Sequence, residues 1–189
     1  VDGAAALMAP YYGMVAAGTW RDRRHANALD GAAHYYGVYE TADQKHVAVG
    51  AMEPAFYAEL CQRLDVTVPH DENEPAAWAA HRPVLAARFR DKTRAEWERE
   101  LSSPGCCAAP VLSLTEAPQH PHNAARGTFV EIDGVVQPAP APRFSRTQPA
   151  TPTGPALPGD QTRGILAGLG LDDAEITEVL DSGIARQSN

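Results

Sequence analysis

The sequence predicts an α/β protein in the broad sense of mixed helices and strands. Its arrangement should be α+β, with helices interspersed with short β-hairpins. Two pairs of segments rich in β-branched and aromatic residues, each pair separated by a short turn, predict the hairpins. Several other segments carry apolar residues spaced three and four apart, which predicts amphipathic helices. A length of 189 residues with 44% hydrophobic and 21% charged residues fits one large domain or two small ones.

The chain opens with a predicted apolar helix. Residues 1–17 are apolar on nearly all sides, which is typical of a helix buried in a larger body, and Pro10 and Gly13 should kink it. No helix start signal precedes Val1, so we expect the chain to be a piece of a longer protein. The polar segment that follows ends in a turn at Asp30-Gly31.

Two hairpins and one further strand are predicted. The first hairpin pairs residues 35–41 with 45–49 around the short turn Ala42-Asp43-Gln44. Residues 108–114 predict a short buried strand. The second hairpin is centred on Asp133-Gly134, a strong turn signal.

The first predicted helices after the hairpin have clear start signals. Pro54 opens a helix through residue 64, and Thr93 with Glu96 forms a capping-box sequence that should begin another. Between them, residues 75–92 have a helical pattern in which Pro83 should either bend the helix or mark its true start. The residues expected on the inner faces of the first two helices are Phe56, Leu60 and Leu64, then Trp78, Val84, Leu85 and Phe89.

The last third of the chain predicts short helices joined by a connector. Residues 115–126 should form a brief helix broken by proline. Residues 138–158 are rich in Pro, Ala, Thr and Gly and should run extended. Residues 160–169 and 172–182 predict two closing helices.

Charge and cysteine content exclude several classes of protein. The formal net charge of −8, with Lys and Arg scattered, argues against a nucleic-acid partner. No apolar run is long enough to predict a membrane span, and the opening lacks the basic region of a signal peptide. Cys61, Cys106 and Cys107 are too few and too unevenly spaced for a disulfide framework, which favours a reducing compartment and a cytoplasmic location.

Three segments resemble one enzyme family over almost the whole chain. Residues 29–60 read LDGAAHYYGVYETADQKHVAVGAMEPAFYAEL, residues 106–147 contain APVL, HPHNAARGTF and PAPRFSRT in that order, and residues 159–185 read GDQTRGILAGLGLDDAEITEVLDSGIA. In motif order and spacing they are similar to α-methylacyl-CoA racemases, which belong to the family III CoA-transferase group of CaiB/BaiF type. The resemblance covers the C-terminal half of that family only. Gly37 stands where the family has an acidic or larger residue. The hairpin turn reads Asp43-Gln44 where the family has Asp-Gly, which implies a left-handed position filled without Gly.

The resemblance implies an architecture of two domains and an interlocked dimer. Residues 1–26 would be the end of a helix of a Rossmann-like large domain with its linker, and residues 27–137 a small α/β domain. Residues 138–158 would be the Pro-rich connector, and residues 159–189 helices that return to the large domain.

The resemblance also implies a catalytic role for Glu53. Racemisation of a 2-methylacyl thioester removes the α-proton on one face and returns a proton on the other, which requires two acid/base groups. In the family these are a His and an Asp that should lie upstream of Val1, and a Glu of the small domain pairs with the His; that Glu matches Glu53. The alternative is structural, since a carboxylate at a helix N-terminus gains roughly 0.3–1 kcal/mol from the helix dipole.

Leu29, Tyr36 and Met52 match positions where the family lines its acyl pocket. Packing in the core is the alternative explanation for all three, because apolar residues serve both purposes. For Asp30 we expect a hydrogen bond that holds its own loop rather than a catalytic role.

No metal site or reactive thiol is expected. His120 and His122 lack further ligands at matching spacing, and nothing near the cysteines in sequence would activate a thiol. No cofactor is expected beyond coenzyme A as part of an acyl-CoA substrate, and the partner would be a second copy of the chain or a complementary N-terminal half. Besides racemisation, two hypotheses stay open: CoA transfer between an acyl-CoA and a carboxylate, and a noncatalytic subunit or inactive fragment.

Overall fold

A computed structural model describes residues 1–70 and 74–188 and divides the chain into two units. The first unit is Val1–Leu112 and the second is Ser113–Asn189. Both mix helices with small antiparallel sheets, so the α+β fold class is confirmed. The four predicted domain ranges follow from the family architecture rather than from contacts within this chain, and they stay a prediction.

The first unit begins with two short helices, α1 (Asp2–Leu7) and α2 (Ala9–Ala16). The predicted kink is present at Met8, and Pro10 lies in the first turn of α2, where its missing N–H leaves no intrahelical bond unmade. Gly13 lies within α2 without breaking it, so the second predicted kink is wrong. Neither helix contains a buried residue.

A three-stranded antiparallel sheet forms the centre of the first unit. Strand β1 (Tyr36–Glu40) pairs with β2 (His46–Gly50), and β2 pairs with β3 (Ala108–Pro110). Gln44 takes a φ of +58°, so the hairpin turn has the left-handed residue that was expected without Gly. Strand β3 is shorter than predicted because only Val47, Ala48 and Val49 of β2 pair with it.

Three helices pack on this sheet: α3 (Pro54–Leu64), α4 (Pro75–Phe89) and α5 (Arg94–Glu100). The helix starts at Pro54 and Pro75 and the capping box of Thr93 with Glu96 are confirmed. The predicted inner faces of α3 and α4 are partly wrong, because Phe56 and Val84 are exposed. The buried residues of α3 are instead Tyr57, Leu60, Cys61 and Leu64, which follow the i, i+3, i+4, i+7 spacing of one helix face.

Aromatic side chains join the sheet to α4 and α5. The ring of Tyr39 on β1 stacks on Phe89 of α4 with centroids 4.9 Å apart. Phe89 in turn meets Trp97 of α5 edge to face at 5.5 Å. The indole N–H of buried Trp97 donates to the carbonyl of Phe89 at 2.8 Å, so this large side chain leaves no donor unpaired.

The second unit contains a hairpin and short helices. Its elements are a 3₁₀ turn (Ala117–Gln119), α6 (Pro121–Ala125), β4 (Phe129–Ile132), β5 (Val135–Pro138), α7 (Thr162–Gly168) and α8 (Asp173–Asp181). Asp133 and Gly134 both have positive φ, as the predicted tight turn requires. No helix or strand lies between β5 and α7, as expected of the Pro-rich connector. In the parts of the chain described, no helix has the length and apolarity to span a bilayer.

Candidate functional site

Three of the four predicted site residues lie at the open end of the β1–β2 hairpin. Tyr36 is the first residue of β1 and pairs with Gly50, the last residue of β2. The chain then turns into α3 through Ala51, whose amide donates to the carbonyl of Tyr35 at 3.0 Å. Met52 and Glu53 follow directly, so the hairpin register brings Tyr36, Met52 and Glu53 to the same end of the sheet.

Glu53 occupies the N-cap position of α3 and is exposed. Its backbone is extended, and its side chain does not cap the helix. Within residues 1–70 and 74–188, the carboxylate takes part in no hydrogen bond or ion pair. The side chain therefore makes no capping hydrogen bond, whereas the helix-dipole alternative still applies to a carboxylate at the N-terminus of α3.

The three predicted acyl-lining residues differ in their surroundings. Leu29 and Met52 have exposed fractions of 37% and 36% and are not core residues, which removes the core-packing alternative for these two. Tyr36 is half-buried and packs partly against the core. Leu29 lies on a separate element, the loop of residues 26–33 that leads into β1.

Hydrogen bonds accepted by one carboxylate, that of Asp30, hold that loop together. Asp30 accepts from the amides of Ala26, Asn27 and Ala32 at 2.9, 3.1 and 3.2 Å, and from the side-chain amide of Asn27 at 3.0 Å. Burial by itself raises the pKa of Asp30, but these hydrogen bonds together hold the pKa below its usual value. The expected local role of Asp30 is therefore confirmed.

A shallow apolar groove of about 570 Å³ runs along the outer face of the sheet next to Tyr36. Its floor is formed by small residues, including Ala48, Gly50 and Ala109. The Tyr36 ring lies close over Gly50, since a β-carbon at that position would be 3.8 Å from Tyr36 Cε2. An apolar group can lie against this face without displacing any charged side chain, because none lines the groove.

One residue near this site, Arg82, was not identified from the sequence. Arg82 lies on α4, and its guanidinium donates to the carbonyl of Gly31 at 2.8 Å. It also lies against Gly37 of β1, where a β-carbon would come 2.8 Å from Nη1. A glycine within a strand often marks such a close approach, so Gly37 was the available signal. Nothing in the pattern of α4 singles out Arg82.

The remaining candidates do not form a metal or thiol site. In the described part of the chain, no three His, Cys, Asp or Glu residues cluster as metal ligands. Cys61, Cys106 and Cys107 are free. Burial raises the pKa of the Cys61 thiol, and burial together with nearby Glu59 raises that of Cys106, which disfavours the reactive thiolate of both.

Comparison with known proteins gives consistent matches over most of the chain. Residues 1–162 match the model of CoA-transferase family III. The chain is 36% identical to mouse α-methylacyl-CoA racemase over 185 residues, which are 95% of this chain and 48% of that protein. It is also 36% identical to the human enzyme of the same name, over 85% of this chain and 43% of that protein. The chain thus spans about half the length of the racemases it matches.

Solved structures share the fold at lower identity. A CaiB/BaiF family protein from Brucella suis superposes with a TM-score of 0.64 at 20% identity, covering 87% of this chain and 45% of that one. A variant of Rv3272 from Mycobacterium tuberculosis gives a TM-score of 0.58 at 19% identity, over 88% of this chain and 45% of that one. The family model and the two racemases carry the assignment, and the resemblance noted in the sequence is confirmed: the chain belongs to CoA-transferase family III.

Proposed function

We propose that the chain is the half of an acyl-CoA racemase that supplies Glu53 and part of the acyl pocket, and that the complete enzyme epimerises 2-methyl-branched acyl-CoA thioesters. The observation that carries the proposal is the state of Glu53. Its carboxylate is exposed and unpaired among the described residues, and it lies at the end of the hairpin where Tyr36 and Met52 also lie. The similarity to the racemases supplies the reaction.

The chemistry explains why such a carboxylate is useful. Removal of an α-proton from a thioester needs a base close to neutral pKa, and an imidazole meets that requirement. A carboxylate bonded to the far nitrogen of an imidazole fixes its tautomer and stabilises its charged form. Glu53 would play this part for a His on the other half of the enzyme, while Leu29, Tyr36 and Met52 contact the acyl group. Coenzyme A enters as part of the substrate, and we propose no other cofactor.

The proposed partner is a polypeptide that carries the rest of the family fold. Because the chain spans about half of the racemases it matches, the acid/base pair would come from the remaining half, either in the same polypeptide or in a subunit of an interlocked dimer. Glu53 has no hydrogen-bond or ion-pair partner among the described residues, which is consistent with a partner across such a boundary. The free thiols are consistent with a cytoplasmic location.

The test is a chimaera in which residues 1–189 replace the matching segment of mouse α-methylacyl-CoA racemase. The chimaera is incubated with one stereoisomer of a 2-methylacyl-CoA in deuterated water, and both α-proton exchange and inversion are followed. The proposal predicts exchange with inversion, and predicts neither for residues 1–189 alone. A correctly folded chimaera without exchange would contradict it.

CoA transfer is the second candidate, favoured by the match to the CoA-transferase family model over residues 1–162. That reaction uses a carboxylate nucleophile to form an acyl-enzyme anhydride and does not need exchange at the α-carbon. The same chimaera is therefore also incubated with two substrates, an acyl-CoA and a separate free carboxylic acid that can accept CoA. Formation of the second thioester without α-exchange would favour transfer, and absence of both reactions would favour a noncatalytic role.

A further inference from the structure

Arg82 makes a set of contacts that connects two parts of the proposed acyl pocket. Its side chain, half-buried on α4, donates through Nη1 to the carbonyls of Gly31 at 2.8 Å and Ala33 at 3.4 Å. Through Nη2 it donates to the carbonyl of Val38 at 3.3 Å. Arginine can do this because its guanidinium presents five N–H donors in one rigid plane. A single side chain thus bonds to the end of the 26–33 loop and to β1.

The site is shaped for a guanidinium. Gly37 leaves the space that the group occupies, since a β-carbon there would be 2.8 Å from Nη1 and 3.0 Å from Nη2 of Arg82. On the neighbouring inward position of β1, the Tyr39 ring lies under the guanidinium carbon at 5.0 Å, a cation–π distance. Strand β1 is one of the two edge strands of the three-stranded sheet, and the carbonyl of Val38 on this strand accepts from Arg82.

The contacts fix the separation between two walls of the proposed pocket. Asp30 holds the first part of the 26–33 loop, where Leu29 lies, and Arg82 holds its last part through Gly31 and Ala33. The same guanidinium holds β1, which begins at Tyr36. Two further bonds join the same regions: the amide of Tyr36 donates to the carbonyl of Ala33 at 3.1 Å, and the hydroxyl of Tyr39 donates to the carbonyl of His34.

We propose that Arg82 is a positioning residue that sets the distance between Leu29 and Tyr36 and thereby the fit of the acyl group. The inference rests on the proposed function. It makes Gly37 a specificity-determining position as well, because any side chain there must displace the guanidinium. Lysine cannot replace arginine here, since an ammonium is a point charge and cannot reach three carbonyls in one plane.

The first test uses residues 1–189 alone and measures amide hydrogen exchange. In Arg82→Lys we expect about tenfold faster exchange at the amides of Ala32 and Tyr36, which belong to the loop network. Arg90→Lys is the matched control, because Arg90 also joins the end of α4 to β1, through an exposed ion pair with Glu40 at 2.8 Å. Unchanged exchange in Arg82→Lys, or an equal change in both variants, would overturn the inference.

The second test uses the racemase chimaera and separates KM from kcat. We expect Arg82→Lys to raise KM for a long-chain 2-methylacyl-CoA about tenfold with kcat within about twofold, because uniform substrate binding is lost while the acid/base groups are untouched. Gly37→Ala should give the same shift. In a chain that already carries Arg82→Met, Gly37→Ala should cause no further rise in KM, because the guanidinium that the new β-carbon would displace is absent.

The outcomes separate the two proposals. An active chimaera whose KM is insensitive to Arg82→Lys overturns the positioning role and leaves the proposed function standing. A fall in kcat with KM unchanged also overturns it, since it would point to the reacting centre. An inactive unsubstituted chimaera overturns the proposed function, and with it the role of Arg82 in substrate binding.

Discussion

Tyr39 lies where the core meets the guanidinium of Arg82. Its side chain is almost fully buried, and its hydroxyl donates to the carbonyl of His34. Burial raises the pKa of Tyr39 to about 12, while the positive charge of Arg82 lowers it by a smaller amount. The phenol is therefore held in its neutral form within the folded chain.

This shift predicts a pH dependence of stability at alkaline pH. A group with a raised folded pKa contributes stability that is complete below its unfolded pKa, about 10, and is lost as the pH rises through about 12. We expect the free energy of unfolding of the natural chain, measured in urea relative to Tyr39→Phe, to fall by roughly 2–3 kcal/mol over that range. Parallel curves for the two proteins would contradict the assignment.

At the residue scale, short-range chemistry was predictable and long-range pairing was not. The role of Asp30 in holding its own loop follows from neighbours within a few positions. The positive φ of Gln44 agrees with what the family's hairpin turn implies. The role of Arg82 does not follow from its neighbours, because its partners Gly31 and Ala33 lie 51 and 49 residues away in sequence. Only the tertiary fold brings these groups together.

Helix α3 shows how the buried face of an element is determined. Because Glu53 precedes the first turn, the direction of α3 fixes where that carboxylate points. Leu60 is fully buried, whereas Phe56, one turn earlier, is 38% exposed. The helix is thus rotated slightly from the face that apolar residues alone would indicate, and Tyr57 takes the inward position.

Paired substitutions test this orientation of α3. Leu60→Ala should lower the free energy of unfolding by about 2–5 kcal/mol, because it leaves a cavity in the core. Phe56→Ala, the control at a more exposed position, should cost under about 1 kcal/mol. Thermal or urea unfolding of both variants checks the prediction, and a larger cost for Phe56→Ala would mean that α3 presents the other face.

At the element scale, the sequence predicted where helices begin better than it predicted how long β3 is or which face of α3 is buried. The capping box at Thr93 and the proline starts at Pro54 and Pro75 are local signals, and all are present. The extent of β3 depended on how much of β2 was available to pair, and the face of α3 depended on packing. Both are tertiary effects that periodicity alone does not contain.

The molecule as a whole exposes an apolar surface on α1 and α2. Leu7, Tyr12 and Val15 have exposed fractions of 80%, 71% and 48%, and neither helix buries a residue. An exposed apolar patch in water promotes association with another apolar surface. In the complete protein, the remaining half of the family fold would cover it under the proposed function.

We therefore expect residues 1–189 alone to associate through α1 and α2. Replacing Leu7, Tyr12 and Val15 together by Ser should shift the sedimentation profile toward monomer. Replacing Leu114 and Leu157 by Ser is the control. Their exposed fractions, 94% and 68%, are similar to those of the three helix residues, but they lie outside α1 and α2. Equal effects of the two sets would show that association does not depend on α1 and α2.

At the molecular scale, the family was predictable from sequence motifs, but the relation between this chain and its partner was not. The motifs around Leu29 and Glu53 are local strings, and the chain as a whole is 36% identical to the mouse racemase. The chain itself divides at Leu112 and Ser113, within the small domain predicted from the family. Which polypeptide would supply the acid/base pair of the proposed reaction depends on the assembly, which local motifs do not predict.

The most direct test of the account compares two glutamates in the racemase chimaera. Glu53 and Glu74 are both exposed N-cap residues followed by proline, and neither side chain caps its helix. We predict that Glu53→Gln lowers the rate of α-proton exchange about a hundredfold, while Glu74→Gln changes it by less than about twofold and neither variant shifts Tm. Equal exchange rates in the two variants would contradict a catalytic role for Glu53.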